Sequence, residues 1–252
     1  FEQEYLERIS IVIRAFYPAP YTLTPKQIDN LKSIAGKTCH IEVLTVQDED
    51  WASNWKAYYH PTRVGRRLVV KPTWETYTPQ AEDLVIELDP GMAFGTGTHI
   101  TTRQCLELME MTLVPGQRVL DIGTGSGILA IAAAKLGAGE VKAIDIDPVA
   151  VDTARQNVRQ NGVESRVSVE QRDLAEFSTP EADLVTANLT GPVLCQLIER
   201  LISLTRPGGR MILSGIGLEQ WPQLHTVMAE KGLVVETTDR DEDWVAVQAR
   251  RP

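Results

Sequence analysis

Three cysteines and four histidines in 252 residues leave little material for a disulfide framework or a metal centre. Cys39, Cys105 and Cys195 are odd in number and widely spaced, which speaks against paired cysteines and favours a reducing, cytoplasmic setting. His40, His60, His99 and His225 lack zinc-site spacing, so no metal is expected. No apolar run approaches the roughly 18 residues a membrane span needs, and the start does not read as a basic-then-apolar signal segment. Basic residues are in the minority, 25 against 34 acidic, for a net charge of -9. That balance argues against holding nucleic acid by phosphate neutralisation and suits a basic protein partner.

What the chain does have is concentrated in residues 119–147, VLDIGTGSGILAIAAAKLGAGEVKAIDID. A short apolar strand leads into Gly123, Thr124, Gly125, Ser126 and Gly127, then an apolar helix to Leu136, a stop at Gly137, and a second strand that delivers Asp145 at its carboxyl end. This is half of a nucleotide-binding sheet, whose ligands sit at the carboxyl ends of the strands. Only glycine lets a loop turn this tightly while its backbone touches a ligand. Gly125, Gly127 and Ala130 also satisfy the dinucleotide pattern, with Asp145 about 20 residues after Gly125. Asp121 discriminates. Read as pointing at the ligand, it would repel a pyrophosphate by roughly 1–4 kcal/mol at about 4 Å, whereas it would attract the ammonium group of S-adenosylmethionine. Asp145 then takes both ribose hydroxyls. The methyltransferase reading is preferred over the dehydrogenase; a glycine-rich turn with no ligand is the bland alternative.

Around this centre, Ile9–Ile13 and residues 40–46 read as strands flanking a helix that Thr24-Pro25 starts, a partial α+β domain over residues 1–47. Residues 48–61 read as a linker helix with Trp51, Trp55, Tyr58 and Tyr59 on one side, and the main domain as residues 62–252. Residues 88–102, LDPGMAFGTGTHITT, form either a hairpin or a lid in which Phe94, Gly95, Thr96 and Gly97 meet a ligand ahead of a helix over 101–111. His99 reads as a structural hydrogen bonder. Asp147-Pro148 starts the next helix. Asp173 either meets an adenine amino group or caps a helix over 174–177. Asn188 ends the strand over 182–189, residues 207–209 read as a turn, and strands follow near 211–213, 233–237 and 244–247. Strands after helices imply a mostly parallel sheet, and the closing strand pair implies one antiparallel edge.

The DIGTGSG loop with IDIDP after it, DPGMAFGTGTHITT before it and ANL on the later strand together resemble the ribosomal protein L-eleven methyltransferase family, bacterial enzymes that methylate a ribosomal stalk-base protein. The likeness runs from about residue 48 to the end. It implies an α/β, class I methyltransferase fold with seven strands, after a linker and a small recognition domain of which only part is present. It also implies S-adenosylmethionine as cofactor, held by Thr102, Gly123, Asp145 and Asn188, and methylation of lysine ε-amines and an α-amine. A monomer with no direct nucleic-acid contact is expected. Asn188 would be the catalytic residue, its side-chain oxygen and a nearby carbonyl accepting amine N–H bonds. Glutamine methyltransferases typically carry Asn-Pro-Pro-aromatic where this chain has Asn188-Leu189-Thr190-Gly191. A cofactor-binding module without turnover is the rival from a different class.

Overall fold

The computed structural model describes residue 24 and residues 26–30, 59–89 and 99–252. The chain divides into two compact units, Phe1–Asn54 and Trp55–Pro252, and the division falls within the stretch 48–61. In the first unit Thr24 starts a helical turn over 26–30, donating from its backbone N–H and its hydroxyl to the Gln27 side chain at 2.9 and 2.8 Å. The strands read near 9–13 and 40–46, the aromatic stripe at Trp51, Trp55 and Tyr58, and the lid residues Phe94, Gly95, Thr96 and Gly97 lie outside the described residues.

The second unit opens with a small sheet. Strands β1 (Thr62–Val64) and β2 (Leu68–Lys71) form an antiparallel hairpin, and β3 (Leu84–Glu87) adds in parallel to β2. Sequence reading missed β3, because four residues without alternation carry no period. Two side chains dock this sheet. Glu110, on helix α1 (Ile100–Thr112), accepts from the backbone N–H groups of Arg66 and Arg67 at 2.6 and 2.8 Å. Asn161 accepts from the Glu87 N–H at 2.9 Å and donates to its carbonyl at 2.7 Å, pairing with β3 as a neighbouring strand would.

The main sheet contains β4 (Arg118–Ile122), β5 (Glu140–Asp145), β6 (Val167–Gln171), β7 (Ala182–Asn188), β8 (Thr205–Gly217), β9 (Val234–Asp241) and β10 (Trp244–Arg250). Their spatial order is β6-β5-β4-β7-β8-β10-β9. The expected antiparallel edge is the β9–β10 hairpin, with β10 running against β8 and β9 and lying between them. The turn expected at 207–209 is absorbed into β8. Its register against β7 jumps from Ala182 opposite Thr205 to Leu184 opposite Arg210, so Pro207-Gly208-Gly209 bulges outward while Gly208 and Gly209 stay bonded to the Arg251 backbone.

Alternation along the strands divides two cores. Val119 and Leu184 face one side, with α1, α2 (Ile128–Lys135) and α3 (Pro148–Gln160); Leu120 and Val185 face the other, with α4 (Gly191–Leu204) and α5 (Trp221–Glu230). Helix α2 is buried from Ile128 to Ala134, and its small alanines allow close packing on the strands. Asn161→Ala should lower unfolding stability by about 1–3 kcal/mol, since it strands two backbone groups of β3. Urea denaturation checks this, and an unchanged midpoint would mean that water replaces both bonds.

Candidate active site

Strand order reverses at β4, between β5 and β7, so the carboxyl ends of these three strands frame the ligand crevice of an open α/β sheet. The loop leaving β4 is held from several sides. Gly123 and Thr124 donate to the Ile144 carbonyl at 2.9 and 3.0 Å, Gly125 donates to Asp145 Oδ2 at 2.9 Å, and Asn157 of α3 donates to the Ser126 carbonyl at 2.8 Å. Gly127 has φ 84°, and a Cβ there would stand 3.1 Å from that of Ala154. A side chain at that position would push α3 off the loop.

Asp121 corrects the expectation drawn from sequence. Alternation turns its side chain under α2, not into the crevice, and it is 1% exposed. Thr186 Oγ1 donates to its Oδ1 at 2.6 Å and Thr124 Oγ1 to its Oδ2 at 2.7 Å. Burial pushes the carboxyl up to about 6, opposed by the Thr186 and Thr124 bonds; the Asp145 charge raises it further and the Ala130 N–H lowers it. The carboxylate is therefore an internal tie for loop, helix and strand. Thr186 was missed. Its signal was a threonine two residues before Asn188 in a buried strand, directly opposite Asp121 in the β4–β7 register.

Asn188 ends β7 on the same face as Thr186. Its Nδ2 donates to Thr101 Oγ1 at 3.3 Å and to Thr102 Oγ1 at 3.4 Å, both on the first turn of α1. Gly215 in β8 has φ 81°, and a Cβ there would lie 2.6 Å from the Leu189 carbonyl oxygen and 3.0 Å from Asn188 Oδ1. Two acceptors thus stand beside a glycine that carries nothing to block them. Leu189 also leans over Gly123, where a Cβ would come within 2.7 Å of its Cδ2.

On the opposite rim, Asp145 accepts from the Gly125 and Asp147 N–H groups, at 2.9 and 3.0 Å. Next to it Ile146 is 71% exposed, an apolar side chain held at a polar rim that sequence reading passed over; its signal was an isoleucine between the strand-end Asp145 and the helix-capping Asp147. Asp173 accepts from the Ala175 N–H at 2.8 Å, which fits the capping reading, though it caps a single turn and no helix forms over 174–177. Arg172 N–H donates to the Asp145 carbonyl at 3.0 Å, which keeps this turn beside the rim. Cys105 supplies no nucleophile, because burial pushes its thiol up to about 12. Among the described residues no cluster of His, Cys, Asp and Glu could hold a metal ion.

Asp121 also sets a pH dependence. Between the ordinary carboxylate range and about 6 the folded chain keeps a proton that the unfolded chain has lost, so this residue's contribution to stability falls as pH rises through that window and levels off above it. Relative to wild type, Asp121→Asn should therefore gain roughly 3 kcal/mol between pH 4 and 7. Urea denaturation across that range checks it, and a pH-independent difference would mean that the carboxyl titrates normally.

The sequence matches the family described as Ribosomal protein L11 methyltransferase (PrmA) over residues 2–252. It is 46% identical over 246 residues to the ribosomal protein L11 methyltransferase of Desulfitobacterium hafniense, covering 95% of this chain and 78% of that protein. It is 49% identical over 226 residues to that of Symbiobacterium thermophilum, covering 89% and 74%. The crystal structure of ribosomal protein L11 methylase from Lactobacillus delbrueckii subsp. bulgaricus aligns with a TM-score of 0.72 at 35% identity, over 77% of this chain and 100% of that one. At 18% identity, precorrin-6y C5,15-methyltransferase from Geobacter metallireducens shares the fold alone, with a TM-score of 0.52 over 61% of this chain and 90% of that one. Seven strands in this order, with one strand reversed, are the class I methyltransferase sheet. A family match across nearly the whole chain decides the assignment: the chain belongs to the PrmA family of ribosomal protein L11 methyltransferases.

Proposed function

We propose that this chain transfers methyl groups from S-adenosylmethionine to lysine ε-amines of ribosomal protein L11, and to its N-terminal α-amine. Family membership supports the reaction and the acceptor protein. The observation that carries the amine chemistry is the pair of acceptors, Asn188 Oδ1 and the Leu189 carbonyl, beside Gly215.

The residues present fit the cofactor. Gly123, Thr124, Gly125 and Gly127 offer a loop free of bulky side chains, Asp145 stands at the end of β5 to accept from ribose hydroxyls, and exposed Ile146 offers an apolar surface for a purine. Asp173 would take the adenine amino group, and Thr102 and Asn188 would close the methyl-donor end. Asp121 contributes by fixing the loop and by the negative charge it sets below a cationic ligand. When bound, S-adenosylmethionine supplies an electrophilic methyl group on a sulfonium. Phe94, Gly95, Thr96 and Gly97 would cover the ligand from the lid, and residues 1–47 would dock the protein substrate.

A lysine amine has a pKa of about 10.4 in water, so it must lose a proton before it can attack. Desolvation in the crevice disfavours the ammonium form. The two acceptors each take an N–H of the neutral amine, which turns its lone pair toward the donor. Catalysis is then chiefly orientation. The chain would work as a cytoplasmic monomer without direct contact to nucleic acid, in keeping with its charge of -9.

Purified ribosomal protein L11 incubated with this chain and S-adenosylmethionine should gain several methyl increments in intact mass. Asn188→Ala should lower kcat by about 100-fold while leaving loop and fold intact. No mass increment would remove the proposed acceptor, and full turnover by Asn188→Ala at saturating substrates would remove its role.

A further inference from the structure

We infer that His99 is a positioning residue for Asn188, setting the direction of a hydrogen-bond chain through Thr101 that leaves the Asn188 amide oxygen facing the substrate amine. This rests on the methyl-transfer reading above. The chain starts at a donor with no choice. The backbone N–H of Thr101 can only donate, and it donates to Nδ1 of His99, the N-cap of α1, at 3.4 Å. Nδ1 is thus the unprotonated ring nitrogen, and the proton sits on Nε2.

Thr101 Oγ1 stands 2.8 Å from the same Nδ1, so its hydroxyl hydrogen is given to the ring and its lone pairs point elsewhere. They meet Asn188 Nδ2 at 3.3 Å, which must therefore be a donor. Once the NH2 end of the amide is committed to Thr101 and Thr102, the oxygen end is turned toward Gly215 and the Leu189 carbonyl. If the Nδ1 acceptor were lost, the Thr101 hydroxyl could turn its hydrogen to Asn188, and a flipped amide would present N–H groups to an amine that also needs acceptors. The ring is steadied by an edge-on contact with Trp244, centroids 5.3 Å apart and planes at 74°. Thr101 is 1% exposed, so a water cannot readily take over its hydroxyl's place.

The test is methylation of purified ribosomal protein L11 by the full chain, with kcat and KM measured separately and cofactor affinity followed by calorimetry. Thr101→Val, which keeps shape and leaves the His99 cap in place, should lower kcat by about 10- to 100-fold, as should His99→Ala. KM for both substrates and the calorimetric affinity should stay within about threefold. His99→Asn, whose amide oxygen can stand where Nδ1 stands, should restore most of kcat. Adding Thr101→Val to Asn188→Ala should cost nothing beyond Asn188→Ala alone. Wild-type kcat in Thr101→Val, His99→Asn as slow as His99→Ala, or losses that multiply in the double variant would each overturn the positioning role. An unsubstituted chain that binds cofactor but leaves L11 unmethylated would overturn the function reading, and the positioning role with it.

Discussion

One buried carboxylate ties the ligand end of this fold together. Asp121 joins its own strand β4, Thr124 of the glycine loop, the Ala130 N–H of α2 and Thr186 of β7. A carboxylate buried without partners would be costly, and hydrogen bonds from every side make it tolerable. Those bonds impose constraints in turn. The loop must fold back over the carboxylate, which is why Gly123, Gly125 and Gly127 all take left-handed backbone angles, at φ 67°, 55° and 84°. Strand β7 must keep the register that sets Thr186 opposite Asp121, and the same register carries Asn188, two residues on, to the crevice. Geometry at the glycine loop and at the Asn188 amide is therefore fixed by a single buried group.

How much of this was legible in the sequence depended on range. The glycine loop, the strands either side of it and the Asp147-Pro148 helix start were readable because each is set by residues within one turn of one another. Asp121 was visible as a strand-end acid, but its role was misread. Whether a strand-end acid faces ligand or helix depends on the neighbouring strand, and Thr186 lies 65 residues away. Gly215 was invisible for the same reason, since only the β7–β8 register brings it beside Asn188 and Leu189. The outward bulge at Pro207-Gly208-Gly209 looked like a turn because its composition is that of a turn; the bonds to Arg251 that keep it in the sheet come from the far end of the chain.

Among the described residues, the polar groups that bond with Asn188 and Thr101 share one property: none is a strong acid or base with a free charge. Hydroxyls, an amide, a backbone carbonyl and an imidazole acting through its lone pair all serve as directional partners. Such a set suits a reaction whose electrophile arrives already activated, so that protein groups need only aim a neutral nitrogen. Cys105 lies behind the crevice but is buried, with its thiol pushed far from reactivity.

Helix α1 connects two distant places. Its last turns carry Glu110, which grips the backbone of the β1–β2 hairpin, and its first turn carries Thr101 and Thr102, which grip Asn188. Thirteen residues of helix make a rod about 20 Å long. A rod held at both ends behaves as a lever, and a tilt of a few degrees at the hairpin displaces the threonines by about 1–2 Å, the scale on which near-attack geometry is lost. The tolerances of the Asn188 amide, the proposed amine-orienting group, therefore extend to a surface turn at Arg66 and Arg67 on the β1–β2 hairpin.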